Sequence, residues 1–199
     1  MVEELGHLWH ILDPHDLKGT TASWLKSVRP VVERGYLTSQ YVAAEFVKAS
    51  HNAALPGAPD LTVEIPNPLG AFGFHVQSDR KTQLRIAVSM KVTGPVTVAN
   101  DSKPGMSKIQ IHELMQNGLN KSSGAAVRLA LNGGRGMVRM LAEADDSIKG
   151  VQSVAEDDAC KSCRFLAETP LFKGVHTPKQ LDAVAVGHDH CLCSVKPIF

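Results

Sequence analysis

The sequence predicts an α+β protein that is mostly α. It should have a long N-terminal helical arm, central helices, and a small C-terminal α+β unit closed around a Cys/His cluster. Three observations carry this expectation. Apolar residues recur at three-and-four spacing through residues 3–50 and again through 107–144, which gathers them on one face of a helix. Prolines 56, 59, 66 and 68 and glycines 57, 70 and 73 crowd the stretch between the two helical regions. All four cysteines fall between positions 160 and 193. The expected organisation is an arm over 1–54, a Pro/Gly linker over 55–78 and a third part over 79–199.

The elements follow in order. Leu5, Leu8, Trp9 and Leu12 mark a short amphipathic helix over 3–12, which Asp13-Pro14 ends. Thr20 or Thr21 is the expected cap of a second helix carrying Trp24, Leu25, Val28, Val31 and Val32. Pro30 should kink or divide it, because proline lacks the amide proton and collides with the preceding turn. The pattern resumes through Tyr36, Leu37, Tyr41, Ala44, Phe46 and Val47. That stripe is more than a free helical hairpin covers, so the arm should dock on a partner or pack against the protein's own core. Residues 84–92 (Leu84, Ile86, Val88, Met90, Val92) alternate apolar and polar as a half-buried strand would.

From Ser107 to Ala144 the spacing is helical again, with Asn132-Gly133-Gly134 expected to break it. The glycine pair lacks the lysine, the hydroxyl and the preceding apolar strand of a phosphate-cradling loop. Val151 to Ala155 reads as a strand delivering Cys160.

Composition excludes more than it selects. Apolar residues make up 43% of the chain, enough for a core, while 5% aromatics give little material for a base-stacking surface. Net charge is +1, so overall charge selects neither nucleic acid nor membrane. Residues 79–140 nevertheless hold ten Lys/Arg against three acids, a balance of +7, and 141–160 hold six acids and one lysine. A solvated helix face is the commoner meaning of such a basic stretch; phosphate or an acidic protein surface is the other. No run of about eighteen apolar residues is present to span a bilayer. Met-Val-Glu-Glu lacks the basic start and apolar core of a signal peptide. A reducing cytoplasm is the expected setting, and there cysteines favour metal over disulfide.

The chemistry concentrates in Cys160-Lys-Ser-Cys163 and His188-Asp-His190-Cys191-Leu-Cys193. A Cys-x-x-Cys turn presents two thiolates to one metal, and a second short Cys/His group completes a tetrahedron, so zinc is the expected cofactor. Cys160, Cys163 and Cys191 are the leading ligands, and His188 and Cys193 compete for the fourth position. Disulfides or unlinked core thiols are the alternatives. His7, His10, His15, His51, His75, His112 and His176 have no companion motif and read as surface or core histidines. No Gly-x-Ser-x-Gly elbow or His-Glu-x-x-His helix occurs. A Cys160 or Cys163 nucleophile with His188 as base explains one thiol rather than four.

Order and spacing of these groups resemble a known family. The stretch from Gly150 to Ala167 has an acidic dipeptide, a small residue, Cys160-x-x-Cys163 and an apolar pair. With the later His188-x-His190-Cys191-x-Cys193, it is similar to the C-terminal signature of Mu F-like minor head proteins of tailed bacteriophages, closest to the actinobacteriophage type. Val92-Thr-Gly-Pro-Val96 and the stretch from Gly124 to Arg135 agree, so the resemblance runs from about residue 85 to the end. Before that it rests on Thr-Thr-Ala-Ser-Trp24-Leu and the Ala-rich stretch after it. The resemblance implies that 84–92 is a helix leading into Thr93-Gly94-Pro95. It further implies a structural, non-enzymatic virion component, made in the host cytoplasm and assembled near the portal vertex or inner capsid wall. The implied partners are the portal protein, the major capsid protein, or both, with packaged double-stranded DNA as a further candidate and no membrane. The rival is a zinc-finger-type, HNH-like endonuclease using His188-Asp189-His190 for Mg²⁺. Cys191 and Cys193 follow at once and leave a hydrated Mg²⁺ little room.

Overall fold

The computed structural model describes residues 1–61, 78–155 and 194–199, together with Asp157, Ala159, Lys161, Arg164 and Thr177. Helices dominate it, and a two-stranded antiparallel sheet completes it. Helix α1 (Val2–Leu8) continues into a 3-10 turn (Trp9–Ile11), and α2 runs from Leu17 to Ala54. Helix α3 (Arg80–Lys91) passes through a π-helical turn (Val92–Val96) into α4 (Thr97–Asp101). Helix α5 spans Lys108–Ala144, and the strands are β1 (Gly150–Val154) and β2 (Ser194–Ile198).

Two expectations about helix ends need correction. Asp16, not Thr20 or Thr21, caps α2, its carboxylate accepting from the Gly19 amide at 2.9 Å. The threonines lie one turn inside, where their hydroxyls bond back to the carbonyls of Asp16 and Leu17. Pro30 does not divide the helix: α2 runs through it for 38 residues, about 57 Å at the usual rise. Pro30 and Lys26 are both exposed, so the carbonyl that proline leaves without a donor can face water.

The expected break at Asn132-Gly133-Gly134 is likewise absent, and α5 is continuous for 37 residues. The glycines mark a helix crossing instead. A methyl group on Gly133 would collide with the Tyr36 carbonyl of α2, and one on Gly134 would sit 2.6 Å from the Ser39 hydroxyl. The Gly134 amide reaches that hydroxyl at 3.1 Å. On the α2 side the facing residues are also small: Gly35, Ser39 and Ala43, spaced by four. Two long helices can therefore approach almost backbone to backbone, as small residues allow.

Residues 84–92 form a helix, as the resemblance implied and their alternation did not. Asp79 caps it, accepting from the Thr82 amide at 3.0 Å and the Thr82 hydroxyl at 2.7 Å. Glu33 of α2 fixes where it starts. This buried carboxylate accepts from the backbone amide and hydroxyl of Ser78, each at 2.6 Å, and from the Gln83 side-chain Nε2 at 3.2 Å. At the π turn Pro95 offers no amide proton. The Thr93 and Thr97 hydroxyls bond the carbonyls of Ser89 and Val92 there, at 2.9 and 3.0 Å.

Among the described residues two hydrophobic cores are strung along the α2–α5 pair. The first joins Leu5, Trp9 and Leu12 to Trp24, Val28 and Val32 of α2, Ile86 and Met90 of α3, and Ala126 and Leu129 of α5. Trp9 and Trp24 meet edge to face, centroids 5.4 Å apart and planes at 85°. Gly94 and Gly118 make room for them: a methyl on Gly94 would lie 3.0 Å from the Trp24 ring, and one on Gly118 3.1 Å from Trp9. The second core combines Ala44 and Val47 of α2, Leu61, Val138 and Leu141 of α5, Ile148, Val151 and Val195. The N-terminal arm thus packs back against the body of the protein, and residues before position 55 supply side chains to both cores.

Candidate functional site

The sheet fixes the described residues on either side of the cysteine-bearing segment. The α5–β1 turn is held by the Ser147 amide on the Asp145 carboxylate at 2.8 Å, and Ile148 drops into the second core. β1 and β2 then pair antiparallel from Gly150↔Ile198 to Val154↔Ser194. In β2, Val195 and Pro197 are buried and Ser194 and Lys196 exposed, the period-two pattern of a strand with one face covered. Among the described residues the sheet has two strands, so Pro197 lies on an edge strand, where a missing donor is tolerated. The C-terminus is fastened by Phe199, which packs edge-on against the buried His51 ring, centroids 5.5 Å apart.

Val154 and Ser194 are therefore neighbours across a ladder. Cys160 follows the first by six residues, and Cys193 directly precedes the second. The fold ties both halves of the sequence cluster to adjacent strand ends, with β1 where the sequence placed a strand leading to Cys160. Cys160, Cys163, His188, Cys191 and Cys193 themselves lie outside the described residues, as do Asp189, His190, His75 and His176. Among the described residues no three His, Cys, Asp or Glu side chains come together as a metal site. Of the scattered histidines, His7, His10, His15 and His112 are exposed and His51 is a core residue.

Beside the sheet a groove of about 460 Å³ opens between α2 and α5. Val42, Ala43 and Phe46 line one wall, Leu131, Arg135 and Val138 the other, and Val154, Val195 and Lys196 its end. Arg135 is nearly buried and donates to Asn132 at 2.9 Å.

The basic stretch 79–140 does not converge on one cavity. Arg80, Lys81, Arg85, Lys91, Lys103, Lys108 and Lys121 are exposed, in keeping with a solvated face. Arg139 pairs with Glu143 at 3.1 Å, and Arg128 reaches the Ser89 hydroxyl at 3.4 Å. No family model matches the chain, and no characterised protein or solved structure matches it. No helix among the described residues is long and apolar enough to cross a membrane.

One surface escaped sequence reasoning. Leu84, Val88 and Val92 are 63%, 53% and 52% exposed, along the outer side of α3 and its π turn. Their signal was the very alternation that imitates a strand. In a helix, residues two apart point roughly 200° from each other, so an every-second apolar pattern builds ridges on opposite faces.

Proposed function

We propose that the chain is a structural, non-enzymatic minor head protein of the Mu F-like type. It joins the head of a tailed phage near the portal vertex or inner capsid wall, through contacts with the portal or major capsid protein. The reading rests on the ordered Cys160-x-x-Cys163 and His188-x-His190-Cys191-x-Cys193 signature. The pairing of Val154 with Ser194 supports it, because this tethers both halves of that signature to one end of the fold. In this reading Cys160, Cys163 and Cys191, with His188 or Cys193, hold a zinc ion whose role is to close the C-terminal unit. Of the partners, the portal protein is favoured over packaged DNA. Lys/Arg side chains within 79–140 spread over several elements rather than one groove, and aromatics are few.

The experiment must use the full chain, since a truncation of residues 1–50 would strip both cores. Produced with the portal and major capsid proteins of its own phage, the chain should sediment with assembled heads. The purified protein should carry about one zinc, and Cys163→Ser should lower zinc content, melting temperature and incorporation together. Full incorporation of a zinc-free protein would remove the metal from the reading. Plasmid cleavage with Mg²⁺, lost in a folded His190→Ala variant, would replace the head-protein reading with the nuclease.

A further inference from the structure

Helix α3 carries two apolar ridges. Ile86 and Met90, both fully buried, face α2 and α5 as part of the first core. Leu84 and Val88, continued by Val92 of the following π turn, form the other ridge, spaced by four and each more than half exposed. Single exposed aliphatic residues are ordinary; three in line along α3 and its π turn make a continuous apolar ridge. The flanks carry a second signal. Arg80, Lys81, Arg85 and Lys91 are exposed, none makes an ion pair among the described residues, and α3 contains no acid. Asp79, at its start, is already engaged with Thr82.

We propose that the outer face of α3 binds an amphipathic helix of another protein, one presenting an apolar ridge flanked by Asp and Glu. A ridge at i, i+4 and i+8 fits the groove between such ridges on a partner helix, and the cations on either side set its charge and register. Duplex DNA would set phosphates against the cations and leave the aliphatic ridge between them uncovered. Three aliphatic side chains without an aromatic residue give a bilayer surface little to hold. Where Val42 and Phe46 are exposed elsewhere on this chain, the neighbouring Glu45 is paired with Lys48 at 3.1 Å, so that patch does not offer the free acids this face calls for. The proposal is independent of the head-protein reading, because it follows from the helix surface alone.

A fluorescein-labelled helical peptide of about three heptads, with leucines at i, i+4 and i+8 flanked by glutamates, tests it with the full chain by fluorescence anisotropy. Binding should weaken as salt rises and fall at least about tenfold with Leu84→Glu or Val88→Glu, as an anchor at an interface centre does. Both variants should keep the helical circular dichroism of the parent, since both side chains are solvent-facing. Lys81→Glu combined with Arg85→Glu should also lose the acidic peptide and gain a lysine-flanked version of it. Absence of binding, equal binding of a sequence-scrambled peptide, or retention by the charge-reversed variant would overturn the proposal. So would duplex DNA or anionic vesicles outcompeting the peptide at this face, or a chain dimer that Leu84→Glu dissolves.

Discussion

At position 133 a single methyl group separates a tolerated helix crossing from a collision. Gly133 faces the Tyr36 carbonyl, which belongs to the backbone of α2 and cannot rotate away. Gly136 lies three residues further along the same helix, is exposed, and has no neighbouring atom within 4 Å of an added Cβ. Identical substitutions should therefore have opposite signs. Gly136→Ala removes the backbone entropy that glycine loses on entering a helix and should stabilise by about 0.5–1 kcal/mol. Gly133→Ala gains the same term but must push two long helices apart, a net destabilisation of about 1–3 kcal/mol. Chemical denaturation of both variants checks the pair, and equal stabilisation by both would mean that the helices do not approach closely at this point. The sequence shows three glycines in Gly133-Gly134-x-Gly136 and cannot distinguish them. Local propensity reads Asn132-Gly133-Gly134 as a break, whereas Tyr36 and Ser39, nearly a hundred residues earlier, decide that both of those glycines are contacts.

At the scale of elements, caps and ridges explain both what was legible and what was not. The end of the first helical segment before Asp13-Pro14, the helical spacing of 107–144 and a strand expected over 151–155 and found at Gly150–Val154 were all readable, because proline chemistry and periodicity act locally. Ser107 closes a capping box with Gln110 at the start of α5, the two bonds being 3.3 and 2.8 Å. β2 was missed, since five residues including Pro197 carry little strand signal until Val151 and Val195 are brought together. At the candidate site, the spacing of the cysteines was plain in the sequence, but the pairing of Val154 with Ser194 that joins their flanks is a long-range fact. Helix α3 shows the limit most clearly: its alternation is real, yet a cap and a buried carboxylate on another helix make it helical.

The Asp79 cap has a pH signature. Hydrogen bonds from the Thr82 hydroxyl, and then from its amide, hold the Asp79 carboxyl below its ordinary value of 3.8. A carboxyl with a lowered folded pKa stabilises the fold above the ordinary value, and the contribution disappears as pH falls through the lowered one. Asp79→Ala should therefore melt below the parent at neutral pH, with the difference closing at pH values under about 3.8. Thermal melts of the two proteins across that range decide it; a gap that persists undiminished in acid would mean the carboxylate charge is not what caps α3.

For the molecule as a whole, the arrangement of the two cores has an energetic consequence. Each contains side chains from α2 and α5, and both helices run unbroken between them. Unfolding one core frays helices that the other needs, so the two should melt together rather than in sequence. The chain supplies its own reporter for this. Its two tryptophans, Trp9 and Trp24, both sit in the first core, so their fluorescence follows that core alone, whereas far-ultraviolet circular dichroism follows all the helices. Leu141, 1% exposed, belongs to the second core, and Ile86, fully buried, to the first. Truncating either to alanine removes buried methyl groups and leaves a cavity, at a cost of about 2–5 kcal/mol. Leu141→Ala should lower the tryptophan-reported midpoint by as much as the circular-dichroism midpoint, although no tryptophan lies in its core. Ile86→Ala should do the same, and the double variant should sum the two losses, since the sites share no partner. If Leu141→Ala instead shifted only the circular-dichroism curve and left the tryptophan transition in place, the cores would be separate folding units. The long α2–α5 pair would then be a hinge between them and not a common spine.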